Sequence, residues 1–282
     1  QSLVEKTLGM TDLPLLSEPN LQQQLVEIGY QGKKLEELEG LSDTEKAKML
    51  FIVQDPYTSY YDAKVVRDFV ALTQKLGFSP ILLPFKPNGK AMHIKGFLAR
   101  FSKTAKTQAE FLNRVAKLNV PLVGVDPAIV LSYRDEYKEA LGDSRGDFHV
   151  LTAHEWLTNQ LESNALQSAA KNIATSDRTF EWHLFPHCTE STFMPNSPKE
   201  WQHIFAQFGQ TLNVEKVGCC GMAGVFGHEV QNQTMSKDIY DVSWGKKLQG
   251  KDPNYCLATG YSCRSQVKRY EKAILKHPIQ AL

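Results

Sequence analysis

Four cysteines in the last third of the chain are the residues best suited to chemistry. They are Cys188 in Phe185-Pro186-His187-Cys188-Thr189-Glu190-Ser191, the adjacent pair Cys219-Cys220 before Gly221, and Cys263 in Thr259-Gly260-Tyr261-Ser262-Cys263. A fifth, Cys256, lies nearby, and residues 1–187 contain none. Each of the four falls where an apolar run gives way to turn residues, so four sulfurs can meet at one edge of a sheet. Zinc takes four thiolates tetrahedrally, usually from paired Cys-x2–4-Cys knuckles, and no such knuckle is present. An iron–sulfur cluster spreads its thiolates over several irons, which suits neighbouring cysteines better. Cys188, Cys219, Cys220 and Cys263 are therefore the candidate ligands of an iron–sulfur cluster. Zinc is an alternative occupant, above all in an isolated fragment. Two further readings stay open: four separate buried thiols, and a thiol–disulfide pair at Cys219-Cys220, for which a vicinal disulfide is strained.

Adjacent cysteines in a regular strand point to opposite faces. They share a site only from a turn, and Gly221 supplies the backbone freedom for one. Gly224 and Gly227 continue that pattern through Met222-Ala223-Gly224-Val225-Phe226-Gly227-His228-Glu229, a backbone suited to presenting N–H groups to sulfur. His187 and His228 flank the ligand turns. With Gly221 they are the candidate cofactor contacts, as sulfur donors, proton carriers or ligands, although a polar loop histidine is an equal reading of either. Glu190 and Glu229 fall under the same alternatives. Cys256, inside an apolar run, reads as core.

Elements that could bring these residues together follow from the pattern of apolar positions. Met49–Val53, Pro80–Pro84 and Val120–Val125 read as buried strands. Between them lie a helix over Ala63–Leu76, with apolar residues at Val65, Val66, Phe69, Val70, Leu72 and Leu76 before Gly77, and a long helical stretch over Gly96–Leu118. Ile129–Leu141 reads as a helix closed by Gly142. The scheme then recurs: strands at Trp182–Phe185, Val214–Gly218 and Tyr255–Thr259, and helices at Pro198–Phe208, Thr234–Leu248 and Arg264–Leu275. Thr152–Ala174 reads as helix joining the halves. Such alternation predicts an α/β fold of two tandem, pseudo-repeated Rossmann-like units, each a mainly parallel sheet flanked by helices. The expected organisation is a linker or helical lead-in over 1–45, a first unit over 46–150 and a second, cysteine-bearing unit over 151–282. Asp55-Pro56 aligns with His187-Cys188, Pro87-Asn88-Gly89 with Cys219-Cys220-Gly221, and Asp126-Pro127-Ala128-Ile129 with Gly260-Tyr261-Ser262-Cys263. In parallel α/β units ligands bind outside the carboxyl ends of the strands, which is where the four cysteines would lie.

Charge narrows the function classes. The 282 residues carry 32 Lys and Arg against 31 Asp and Glu, a formal net charge of +1. That balance gives no electrostatic case for nucleic acid, and no apolar run reaches the length of a membrane span. The chain opens at Gln1 without a signal-like segment, and an odd cysteine count with an adjacent pair makes a poor disulfide framework. It reads as a piece of a longer protein, cytoplasmic, either free or peripheral at a membrane.

The order Cys188 … Cys219-Cys220-Gly221 … Cys263 resembles the cysteine-rich "CCG" domain found in heterodisulfide reductases, in the iron–sulfur subunit of anaerobic glycerol-3-phosphate dehydrogenase and in lactate-utilisation iron–sulfur proteins. Cys219-Cys220-Gly221-Met222-Ala223-Gly224 and Ala258-Thr259-Gly260-Tyr261-Ser262-Cys263-Arg264 look more closely like the C-terminal portion of large bacterial FAD-linked oxidases of D-2-hydroxy acids, D-2-hydroxyglutarate or D-lactate being the usual substrates. The resemblance covers roughly residues 45–275, with residues 1–20 similar to the lead-in from a ferredoxin-like domain. It implies an electron-transfer module, with FAD and a ferredoxin-like domain as upstream partners in the same polypeptide and an unnamed electron acceptor. Two departures stand out. The first unit has no cysteines, and Gly260 stands where the resembling proteins often begin a Cys-x-x-Cys.

Overall fold

Met49-Leu50-Phe51-Ile52 is apolar throughout and buried on every residue, as expected of a central parallel strand, and it forms β1. In the computed structural model, which describes residues 9–38, 40–162, 164–173 and 181–282, β1 pairs in parallel with β2 (Ser79–Leu82) on one side and β3 (Leu122–Gly124) on the other. A fourth strand, β4 (Val150–Thr152), joins β3 in parallel and completes the order β2-β1-β3-β4. The second sheet is built alike: β5 (Glu181–Phe185) lies between β6 (Thr211–Val214) and β7 (Cys256–Ala258), all parallel, in the order β6-β5-β7. Both sheets place their first strand centrally and the next two on either side of it. The chain is thus an α/β protein of two Rossmann-like units. The described residues divide into two compact units, one within Leu16–Thr175 and one within Gln1–Leu15 and Ser176–Ala281.

Helices follow from amphipathic spacing and caps. Ala63–Lys75 buries Val65, Val66, Phe69, Val70 and Leu72 and stops at Gly77, whose φ of +87° a β-carbon would oppose. Each buried apolar side chain of this kind stabilises the fold by roughly 1.5–3 kcal/mol. Leu98–Ala116 is the long helix, preceded by a short one over Lys90–Ile94. Pro127–Arg134 and Glu136–Leu141 abut where one helix was expected. The stretch read as a lead-in holds the helix Leu21–Glu27, capped reciprocally by Asn20 and Gln23, with Leu21 and Leu25 buried. Within Thr152–Ala174 the structure has helices over Ala153–Gln160 and Asn164–Ile173; Ala174 and residues 1–8 lie outside the described residues. No described helix is long and apolar enough to cross a membrane.

Three differences from the expected elements bear on the site. β4 was not expected, because three residues carry no period. β6 ends at Val214 and not at Gly218; residues 215–220 are the arm carrying the cysteine pair. The helix expected over Thr234–Leu248 contains a π turn at Asp241–Gly245. Such a turn admits an extra residue, and here Ser243 Oγ accepts the Gly218 N–H at 2.7 Å while Trp244 Nε1 donates to the Gly218 carbonyl at 3.1 Å. The π turn thereby grips the residue before Cys219.

Candidate metal centre

Each of the four cysteines stands just beyond the carboxyl end of a strand in the second sheet. After β5, Pro186 and His187 lead into the helix Cys188–Phe193, so Cys188 is its first residue. His187 is the N-cap, and its Nδ1 accepts the Thr189 N–H at 3.2 Å. After β6, the arm ends in Cys219-Cys220 and turns at Gly221, whose φ is +83°. After β7, Thr259 and Gly260 lead into the helix Tyr261–Glu271, which carries Cys263 in its first turn.

The sulfurs lie close enough to act on one another: Cys219 and Cys263 on Cys188, Cys188 and Cys220 on Cys219, and Cys219 and Cys263 on Cys220. The Gly221 N–H also points at Cys219 Sγ, at 3.3 Å. Protonation is shared unequally. Cys219 is pulled far below the ordinary thiol range by hydrogen bonds from Cys188 and Cys220, with the Gly221 N–H adding to them. Cys188 is pushed up because it donates to Cys219, burial reinforcing the shift. Cys220 is pushed up as the partner of Cys219 and Cys263. Cys188 and Cys219 are half-buried, while Cys220 and Cys263 are buried in an apolar floor with Phe185, Met222, Tyr240, Trp244 and Val267. Among the described residues, no three His, Cys, Asp or Glu side chains are arranged to hold one metal ion.

A set of polar contacts holds these turns. A β-carbon on Gly221 would overlap the Ser236 carbonyl oxygen and stand 3.1 Å from its carbon, so glycine is required there by both φ and packing. Ser236 Oγ donates to the Gly221 carbonyl at 2.8 Å and accepts from Gln266 Nε2 at 2.8 Å. Glu190, fully buried, accepts hydrogen bonds from Ser197, Trp201 and Thr259. Thr259 Oγ1 in turn accepts the His187 N–H at 2.9 Å, tying the β5 turn to the β7 turn. Ser262 Oγ lies 3.3 Å from His187 Nε2.

His228 is placed differently from His187. Its Nδ1 lies 3.1 Å from the Thr11 carbonyl, its own carbonyl accepts the Thr11 N–H at 2.7 Å, and burial lowers its pKa. The glycine-rich run Met222–Glu229 closes on its own chain: a β-carbon on Gly227 would stand 3.0 Å from Met222 Cα. Cys256 is fully buried in β7, and burial pushes its thiol up to about 11. Thr259 and Ser262 lie inside the motifs singled out from sequence, and only their contacts reveal their part. Ser236 and Gln266 carry no local signal, because each acts through a partner at least 15 residues away.

At the corresponding strand ends of the first sheet stand oxygen and nitrogen groups. Asp55 Oδ1 accepts the N–H groups of Tyr57 and Thr58 at 2.8 and 2.9 Å, and Asp126 Oδ1 caps Ala128 and Ile129. Asn88 is buried before Gly89, whose φ of +79° matches that of Gly221.

No protein-family model matches the chain. It is 82% identical over its 282 residues to a D-2-hydroxyglutarate dehydrogenase of Haemophilus influenzae and 56% identical over 282 residues to one of Escherichia coli. It is also 21% identical over 230 residues to a subunit of the anaerobic glycerol-3-phosphate dehydrogenase of Escherichia coli, covering 80% of this chain and 56% of that one. The whole chain thus aligns with a segment of D-2-hydroxyglutarate dehydrogenases, spanning 28% and 27% of the length of the first two.

Proposed function

We propose that this chain is the iron–sulfur module of an FAD-linked oxidoreductase acting on a D-2-hydroxy acid, D-2-hydroxyglutarate by its relatives' name, with Cys188, Cys219, Cys220 and Cys263 as cluster ligands. The observation that carries this reading is the group of four thiols, close enough to act on one another, beyond three adjacent strands. An adjacent cysteine pair suits a centre whose ligands bind different irons. A single ion needs its donors to converge on one point. The Gly221 N–H directed at Cys219 Sγ fits the same donor set, since backbone N–H groups stabilise charge on cluster sulfur.

When bound, the cluster would accept and pass single electrons. The chain's own residues do the rest. The apolar floor of Phe185, Tyr240 and Trp244 keeps water from the buried side of the sulfurs. Gly221 gives the adjacent cysteines a turn from which both face one side. Ser236, Gln266 and Glu190 fix the three turns relative to one another. Flavin, substrate and a ferredoxin-like domain would be held by other parts of the longer protein, which would work in the cytoplasm.

Iron and acid-labile sulfide in anaerobically purified full-length protein test this. Cys220→Ser is expected to abolish the visible absorption of the cluster, while Cys256→Ser leaves it unchanged. Loss in both, or in neither, overturns the ligand set. Stoichiometric zinc without iron or sulfide would instead make the region a zinc-stabilised interaction domain. Reversible loss of two thiols at Cys219-Cys220 without iron would make it a thiol–disulfide module.

A further inference from the structure

The charges of this chain nearly cancel in total, 32 basic against 31 acidic residues, but they do not cancel locally. Residues 86–109 hold Lys86, Lys90, Lys95, Arg100, Lys103 and Lys106 and no Asp or Glu. Lys90 is engaged within the fold, in an ion pair with Glu136, and Lys86 lies over the Phe111 ring. Arg100, Lys103 and Lys106 are exposed on the long helix Leu98–Ala116. They stand three residues apart, so they line its solvent side, away from the buried Phe101, Ala105, Ala109 and Leu112.

The same stretch exposes large apolar side chains. Ile94, Phe97 and Leu98 are 41, 56 and 58% exposed, and every residue from Ile94 to Arg100 is exposed. These residues form the corner between the helix Lys90–Ile94 and the long helix. The corner is not slack. Gly96 turns it at a φ of +75°, with the Gly96 N–H on the His93 carbonyl and the Phe97 N–H on the Met92 carbonyl, both at 2.9 Å. Its inner side is already filled: Met92 packs against the core, and the His93 ring lies 4.8 Å from the buried ring of Phe101. Ile94, Phe97 and Leu98 are thus held outward by a formed turn.

Cations alone suit any polyanion. Cations around a protruding apolar tip suit a surface that is anionic outside and hydrocarbon within. A corner exposed over seven successive residues is convex. A protein partner would have to offer a matching hollow, whereas a fluid lipid surface closes around such a tip. We propose that residues 94–106 are a docking site for an anionic lipid bilayer. Ile94, Phe97 and Leu98 enter the boundary between headgroups and acyl chains, and Lys95, Arg100, Lys103 and Lys106 meet the lipid phosphates. Arg100, whose guanidinium lies 5.8 Å from the centre of the Phe97 ring, joins the apolar tip to the basic side of the helix. The site lies wholly within the first unit, does not depend on the sulfur centre, and holds the protein at a membrane surface without a spanning helix.

The test is co-sedimentation of the full-length protein with two sets of vesicles, one of phosphatidylglycerol and phosphatidylethanolamine, the other of phosphatidylcholine alone. Wild-type protein is expected to pellet with the anionic vesicles at low salt, to leave them as salt rises, and to stay in solution with the neutral ones. Arg100→Gln, Lys103→Gln and Lys106→Gln together are expected to weaken binding by about 100-fold, roughly fivefold per charge. Phe97→Ser with Leu98→Ser is expected to weaken it by about tenfold and to leave the urea midpoint unchanged, because both side chains are exposed. Equal binding to both sets of vesicles would overturn the proposal, and so would binding indifferent to the Phe97 and Leu98 changes, which would reduce the site to surface charge. Full-length protein that stays in solution with the anionic vesicles would overturn it as well. A urea midpoint lowered by the Phe97 and Leu98 changes would then show that another part of the longer protein covers the corner.

Discussion

The two sheets end differently on the same plan. In each, a central strand and its two neighbours deliver three turns to one edge, and in each the second turn swings through a left-handed glycine, Gly89 or Gly221. In the first sheet those turns are closed by their own side chains. Asp55 and Asp126 cap the segments that follow them, and Tyr133 and Tyr137 pack edge to face at 5.2 Å, with the Tyr137 hydroxyl on the Asn88 carbonyl. In the second sheet the carboxylate caps are replaced by His187 and by bare Gly260, and the turns hold sulfur. One arrangement uses strand-end groups to finish the fold. The other keeps a side-chain cap at His187 and leaves Gly260 without one, with its sulfurs able to bind something. The difference teaches that a site in this fold is made as much by removing local closure as by adding ligands. The second sheet then needs its closure from further off, from Glu190 and from the Ser236–Gln266 pair.

That dependence can be broken. Glu190→Ala strands three donors, on Ser197, Trp201 and Thr259, in a fully buried place. Unpaired buried donors cost about 1–3 kcal/mol each before relaxation, so a loss of about 4 kcal/mol in urea unfolding is expected. Glu190→Gln keeps one acceptor and is expected to lose less. Equal, small losses for both would show that the turns are held without the carboxylate. Next in size is Gly221→Ala, which meets both a positive φ and the Ser236 carbonyl. A cost of about 3 kcal/mol is expected. Gly77→Ala, at φ +87° in open space, isolates the φ cost at about 1 kcal/mol. If the two alanines cost the same, the Gly221 turn is not packed as described.

How much of this was legible in sequence depends on the range of the contacts. The Ala63–Lys75 helix was readable because its buried Val65, Val66, Phe69, Val70 and Leu72 recur at helical spacing. The parallel α/β plan was readable because apolar runs alternate with such helices. The cysteine turns stood out because four cysteines fall beside turn residues. The aids to those turns did not, since Glu190 reaches Thr259 across 69 positions and Ser262 reaches His187 across 75, and no local pattern records such a meeting. Gly260 is instructive. In sequence it stood as a missing cysteine, whereas the structure gives the glycine a steric cause in the imidazole of His187. The π turn at Asp241–Gly245 was hidden because a change of hydrogen-bond register leaves the apolar period nearly intact.

The remaining expected effect bears on the closed end. Asp55 is fully buried, and burial, with the Asp126 carboxylate adding to it, pushes its pKa up to about 7 from 3.8. The folded unit therefore keeps a proton that the unfolded chain releases. The contribution of this group to stability is complete below about pH 4 and is lost as pH rises through about 7, with a slope of at most about 1.4 kcal/mol per pH unit. Asp55→Asn is neutral throughout and keeps an oxygen for the Tyr57 and Thr58 N–H groups. Its urea midpoint should gain on that of the wild type between pH 4.5 and 7.5, whereas parallel curves would show that Asp55 holds no such proton. The expected gain would mean that the carboxylate is poorly matched to its buried place at neutral pH. The closed sheet end would then carry an electrostatic cost of its own, just as the sulfur end forgoes a helix cap, and neither end would be the fully relaxed version of the other.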